Sequence, residues 1–203
     1  MSKKSIIVFE GIEGTGKSHH IKNVAKHLKK NNEKFIQIRE PGGSKNSEII
    51  RKLILNNKST FNRYTDLLLY LSARSENIEL IRKNIGKTII LIDRFSDSTI
   101  AYQHYGMGID LKFIKNINDF LLKDINIDFT FLNIVSAKNM KIRLLKRKSL
   151  NRYDKFNYNF YNKVQKGFLK ILRKNKKKYL KIDSNLSIQH NEKLILNKIN
   201  DLI

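Results

Sequence analysis

Residues 11–18 read Gly-Ile-Glu-Gly-Thr-Gly-Lys-Ser. Glycines at 11, 14 and 16 let backbone N–H groups turn inward and approach an anion closely, and a lysine and a hydroxyl follow them. A loop of this type holds a nucleotide by its phosphates. Lys17 bridges the β- and γ-phosphates, Ser18 ligates Mg²⁺, and the helix that starts here adds the positive end of its dipole. Glu13 is a carboxylate at an anion site, which is tolerated if it points away and serves a second ligand such as a sugar hydroxyl. The variable loop positions Ile12, Glu13, Gly14 and Thr15 contain no Arg or Lys. Any further cation for a transferring phosphoryl group must come from elsewhere in the chain.

Other residues suggest where the second reactant sits. The apolar run 88–92 ends in Asp93-Arg94, at the edge where open α/β sheets bind ligands. The acid can serve the metal and the base can hold a second phosphate. The guanine-reading and switch motifs of small GTPases are missing, and Asp93 is followed by Arg rather than by the second acid expected of a motor. The pattern favours phosphoryl transfer between two phosphorylated molecules. Three more stretches suit a nucleoside monophosphate as acceptor. REPGGS (39–44) brings Arg39 to the ligand edge, and its Pro41, the one proline in the chain, fixes a turn. YLSAR (70–74) puts Tyr70 and Arg74 four apart on one helix face, a ring to stack on a base and a guanidinium to donate to its carbonyl. DSTIAYQ (97–103) offers Ser98, Tyr102 and Gln103 on a helix directly after Asp93-Arg94.

These residues need a scaffold that collects them at one edge. Short apolar runs at 5–9, 34–38, 88–92, 128–134 and 179–183 predict five strands, and helical patterns fall at 17–30, 46–55, 61–84, 136–148, 154–177 and 188–203. Strands apolar on both faces that alternate with helices imply a parallel sheet covered on both sides. The expected architecture is α/β, a five-stranded three-layer α/β/α P-loop NTPase fold, in a single domain over 1–203.

The 203 residues are 40% hydrophobic and carry a formal net charge of +23. That excess would favour polyanions. It is spread over many segments, as compositional drift toward Lys, Asn and Ile would leave it, and no basic stripe is interleaved with aromatics. No specific nucleic-acid surface is expected. There is no Cys, so neither a disulfide nor a thiolate metal site can form. Without a signal-like segment or a run of about 18 apolar residues, the chain reads as cytoplasmic and free of the membrane.

Taken in order and spacing, FEGIEGTGKS, REPGGS, YLSAR and DRFSDSTIAYQ resemble the motifs of thymidylate kinases, and the similarity covers essentially the whole chain. The resemblance implies transfer of the γ-phosphoryl of ATP, with Mg²⁺, to dTMP, a step toward dTTP, by a homodimer. It implies that Gly11–Ser18 binds ATP phosphates and that Glu13 meets the dTMP sugar hydroxyl. Arg39 and Arg51 belong to the acceptor side, Arg51 near its phosphate. Tyr70, where Phe is usual, stacks on thymine, and Arg74 reads it. Asp93 and Arg94 flank the reacting phosphates. Ser98, Tyr102 and Gln103 hold the nucleotide, the tyrosine crowding the ribose 2′-position. A loop without Arg resembles the bacterial type, in which a mobile lid supplies the catalytic cation. The lid falls at about 143–157, RLLKRKSLNRYDKFN, with Arg152 the first candidate, then Arg147 and Arg143. Asn133 after Leu132, a Lys-rich lid and His19-His20 after Ser18 depart from the pattern. Alternatives are another nucleoside monophosphate or deoxynucleoside kinase, or a basic nucleic-acid-binding ATPase.

Overall fold

The structure, a computed structural model, describes residues 4–147 and 149–203. Residues 1–3, and Lys148 within the expected lid, lie outside the described residues. Five strands form one sheet: β1 (Ile6–Gly11), β2 (Phe35–Arg39), β3 (Ile89–Asp93), β4 (Phe129–Ile134) and β5 (Tyr179–Asp183). Their order is β2-β3-β1-β4-β5 and every pairing is parallel. The chain leaves β1 toward one edge and leaves β3 toward the other. The C-terminal ends of β1 and β3 therefore flank the switch point where such sheets bind ligands.

The apolar strand runs divide by alternation, as period-2 geometry demands. Ile7 and Phe9 of β1, Ile89 and Leu91 of β3, and Phe129 and Phe131 of β4 face helices α1 (Lys17–Lys30) and α8 (Ile188–Leu202), where Ile21, Val24, Leu28, Ile195 and Ile199 meet them. Ile6, Val8, Ile90 and Ile92 point to the other face, against Ile78 and Ile81 of α3 (Arg63–Asn84). Each fully buried side chain of this size contributes about 1.5–3 kcal/mol relative to exposure. Both faces of the central strands β1, β3 and β4 are dry, and the three-layer arrangement follows.

On the second face, α2 (Lys45–Leu55) packs along α3. A short α4 (Ser96–Thr99) runs on as a π-helix over Ile100–Gly106. Its wider turn puts the consecutive residues Ala101, Tyr102 and Gln103 all in the interior, and such segments recur at functional sites. Helix α5 (Leu111–Leu121) was not expected from the sequence; Asp110 caps it by accepting from the Phe113 amide, and Ile114 is buried beside Leu67 and Leu71. Helix α6 (Ala137–Leu145) ends short of the expected 148. The expected helix over 154–177 is divided: a 3-10 turn at Tyr153–Lys155, then α7 (Tyr158–Lys174), whose N-cap Asn157 accepts from the Phe160 amide. Helix α7 lies close on the π-helix because Gly167 is there; any Cβ would run into the Tyr105 ring.

Candidate active site

The loop after β1 takes its shape from its glycines. Gly11 has φ 136°, and a Cβ on it would collide with the backbone carbonyl of Asn133 on the adjacent β4. Gly16 has φ 81° and opens α1 with no side-chain cap and no acid in the first turn, so this end of the helix is left to an external anion. Lys17 folds back into the loop. Its Nζ donates to the carbonyls of Gly11 (2.8 Å) and Ile12 (2.9 Å) and to Thr15 Oγ1 (3.3 Å). Burial, then the neighbouring Arg94 guanidinium, push its ammonium down to about 7. A bound phosphate would reverse this by supplying the missing negative charge.

Asp93 closes β3 directly beside Phe9 of β1. Ser18 Oγ lies 3.4 Å from Asp93 Oδ2, so the two expected metal ligands are adjacent. Arg94 has a left-handed backbone (φ 65°) that turns its side chain back over the loop. One guanidinium nitrogen donates to the Gly11 carbonyl (2.7 Å) and the Tyr102 hydroxyl (3.2 Å), and the other to Glu13 (2.8 Å). Tyr102 donates its hydroxyl proton to the second Glu13 oxygen at 2.5 Å. Burial works to raise the Glu13 carboxyl, but Arg94, Lys17 and the Tyr102 hydroxyl hold it below the usual carboxylate range.

The turn after Arg94 is held by Glu10, a fully buried residue that the sequence reading passed over. It accepts from the Phe95 amide (2.8 Å), the Ser98 amide (3.2 Å) and the Ser98 hydroxyl (2.5 Å). Burial, then the nearby Asp97, raise its carboxyl from 4.5 to about 8. Ser98 lines the cavity, yet its hydroxyl is committed to Glu10.

The side expected to take the acceptor is built from β2, α2 and α3. Arg39 makes a two-pronged pair with Glu48 at 3.0 and 2.9 Å. Arg51 donates to the Pro41 carbonyl at 2.5 Å, and the Glu40–Pro41 peptide is cis. Arg74 is 2% exposed, donates to Glu40 (2.8 Å) and Asn118 (2.7 Å), and lies over the Phe95 ring. Burial raises the Glu40 carboxyl despite Arg74, and its second oxygen has no hydrogen-bond partner among the described residues. Tyr70 presents its ring beside the Tyr153 ring, edge to face, with centroids 5.8 Å apart.

One cavity of about 460 Å³ joins the two sides, within the range of small-molecule sites. It is lined by Glu13 through Ser18 and by Arg39, Arg51, Tyr70, Arg74, Asp93, Arg94, Ser98, Tyr102 and Gln103. Gly11 and Ile12 stand behind this wall and present carbonyls to Lys17. Glu40 and Tyr153 also line the cavity and were not singled out in the sequence. Glu40 had a signal, since it lies inside REPGGS beside Arg39.

The lid arginines divide. Arg147 and Arg143 line the cavity. Arg143 donates to the Gly14 carbonyl (2.9 Å) and the Ser184 carbonyl (2.6 Å), bracing the loop from outside. Arg147 pairs with Asp154 at 2.5 Å, its side chain 38% exposed. Arg152, the first candidate in the sequence, is absent from the lining. It pairs with the buried Asp66 of α3, and its Nε donates to the Ile54 carbonyl at the end of α2. A guanidinium so placed neutralises a helix C-terminus and a buried acid.

Comparisons with known proteins agree with this geometry. The family model described as Thymidylate kinase matches residues 9–195. A thymidylate kinase of Chlorobium luteolum is 32% identical over 208 residues, covering 97% of each chain. One of Mycoplasma capricolum is 35% identical over 204 residues, covering 96% of each. A crystal structure of thymidylate kinase from Ehrlichia chaffeensis superposes with TM-score 0.78 at 28% identity, over 98% of this chain and 99% of that one. The matched span begins at the strand that feeds the phosphate loop and takes in both sides of the cavity, so the chain belongs to the thymidylate kinase family.

Proposed function

We propose that the protein transfers the γ-phosphoryl group of ATP to dTMP, releasing ADP and dTDP. The observation that carries this reading is a single cavity with a phosphate loop at one end, Asp93 and Arg94 in the middle, and the Tyr70–Arg74 face of α3 at the other. ATP phosphates lie in the loop under Lys17. The thymine ring stacks on Tyr70 and its carbonyl accepts from Arg74, whose guanidinium Glu40 and Asn118 hold in place. Tyr102 and Glu13 meet the deoxyribose. The acceptor phosphate reaches Arg94 and Arg51, which release the Glu13 and Pro41 oxygens to take it. That phosphate is already an anion, so no general base is needed, and positioning with charge stabilisation carries the rate. Arg147 supplies the lid cation, because it faces the cavity with one partner, whereas Arg152 is bound into the scaffold.

Ser18 and Asp93 suit Mg²⁺: both offer hard oxygens, they are adjacent, and they sit where the loop meets β3. When bound, Mg²⁺ neutralises charge on the β- and γ-phosphates. Among the described residues no cluster of three or more His, Cys, Asp or Glu could hold a metal.

The homodimer reading rests on exposed apolar side chains of two packed helices, Ile49 and Leu53 on α2 and Tyr64 and Leu68 on α3, each 48–55% exposed. Among the described residues no helix is long and apolar enough to cross a membrane.

A coupled ADP-release assay across dTMP, dUMP, dCMP, AMP and thymidine tests the substrate. Turnover is expected to be fastest with dTMP. Preference for another monophosphate or for the bare nucleoside would overturn the reading.

A further inference from the structure

Asp66 has a carboxylate that the reaction described above does not use. It lies in the first turn of α3, 1% exposed, one turn before Tyr70 and two before Arg74. Both of its oxygens are taken by consecutive residues of the lid: one by the Arg152 guanidinium, the other by the Tyr153 hydroxyl. The lid arm is fastened further at the end of α2, where the Arg152 backbone amide donates to the Leu55 carbonyl (3.4 Å) and its Nε to the Ile54 carbonyl (3.1 Å).

Tyr153 is at once a lid residue and part of the base pocket. Its ring meets Tyr70 edge to face at 5.8 Å and Tyr102 at 5.9 Å, and Gln103 Nε2 donates to its hydroxyl at 3.4 Å. The next residue, Asp154, accepts from Arg147 and from the backbone and side-chain nitrogens of Asn151. A continuous set of contacts therefore runs from Asp66 through Tyr153 to Asp154 and on to Arg147.

We propose that Asp66 is a positioning residue that latches the lid to the base-binding helix, so that one carboxylate sets both the wall against which the base sits and the place of Arg147 over the reacting phosphates. This inference rests on the thymidylate kinase reading for its kinetic consequences, but not for its structural ones. Base binding and lid placement are then linked: a base seated on Tyr70 presses on Tyr153 and favours the latched lid, and a latched lid completes the base pocket.

The test uses Asp66→Asn, which keeps size and one acceptor but loses the charge that holds Arg152, and Tyr153→Phe, which keeps the ring and the Arg152 pair. Steady-state kinetics, dTMP affinity with and without a non-hydrolysable ATP analogue, and hydrogen exchange of lid and sheet amides are measured on the full chain. In the native protein the analogue is expected to tighten dTMP binding. In Asp66→Asn that tightening falls toward onefold, kcat drops tenfold or more, KM for ATP changes less than threefold, and amides of 151–156 exchange faster while those of β1 and β3 do not. Tyr153→Phe moves each quantity the same way by a smaller factor, and it carries the test alone if Asp66→Asn fails to fold. Native kcat and native coupling in the folded variants would overturn the latch. So would a loss of kcat with faster exchange throughout the sheet, because that is general destabilisation. If the native protein does not phosphorylate dTMP, the activity reading falls. The lid-confined exchange effect then still decides the latch.

Discussion

Two side chains, Glu10 and Arg147, lead to predictions that separate structure from chemistry. Glu10 is fully buried at the end of β1 and fixes the turn that follows Arg94. Its carboxyl is raised from 4.5 to about 8, so over that interval the folded chain keeps a proton that the unfolded chain has lost. Its contribution to stability is full below about 4.5 and disappears as pH rises through about 8. Glu10→Gln should flatten the fall of Tm across this window, leaving the part due to Asp97, whose carboxyl burial also raises. Thermal melts at pH 5, 6, 7 and 8 measure it; an unchanged slope would exclude Glu10 as the titrating group. Arg147 makes the contrasting case. Arg147→Ala is expected to lower kcat by about 10³, the usual loss for a cation at a transferring phosphoryl group, with the ATP dissociation constant nearly unchanged. Single-turnover rates beside equilibrium binding check this, and a near-native rate would return the role to Arg143 or Arg152.

Helix α3 connects the proposed base site to the proposed lid, and its start depends on Asn62, whose side chain accepts from the Tyr64 and Thr65 amides at 3.0 Å each. Asn62→Ala is expected to cost about 1 kcal/mol, a Tm loss of roughly 2–4 °C at this chain length. Because Asp66 sits in that first turn, lid exchange should also quicken; calorimetry with hydrogen exchange reads both, and an unchanged Tm would remove the cap from the account. Elements with one strong local signal could be read from the sequence. The five strands appear within two residues of their expected bounds because unbroken apolar runs identify buried strands. The phosphate loop is where its glycines put it. Helix α5 carried its own local signals, an Asp110 cap and an apolar face. Arg152 could not be placed from sequence. Its position depends on the end of α2, a buried acid on α3 and the lid converging, and no spacing along the chain encodes that meeting. Tyr153 and Glu10 escaped for the same reason, since their partners lie far away in sequence.

At the scale of the whole molecule, the packed helices α2 and α3 leave Ile49, Leu53, Tyr64 and Leu68 exposed to solvent. Burying these side chains against a second copy would remove that exposed area. Leu68→Glu is expected to convert a dimer to a monomer, with light scattering reporting a halved mass and the cavity left complete in each chain. A native protein that is monomeric at micromolar concentration would refute the dimer. Part of the formal charge of +23 does gather in the cavity, where Lys17, Arg39, Arg51, Arg74, Arg94, Arg143 and Arg147 outnumber Glu13, Glu40 and Asp93.

Those internal carboxylates mean that the protein carries its own counterions. Arg39 rests on Glu48, Arg74 on Glu40, Arg94 on Glu13 and Arg147 on Asp154, so a phosphate arriving at Arg94 would displace a resident partner rather than meet a bare cation. Each such contact yields less net affinity than its geometry suggests, because one charge-assisted bond is lost as another forms. The same rivalry operates when products depart. The carboxylates reclaim their arginines, and the enzyme competes with its own products for the groups that bind them, which favours quick release over tight retention.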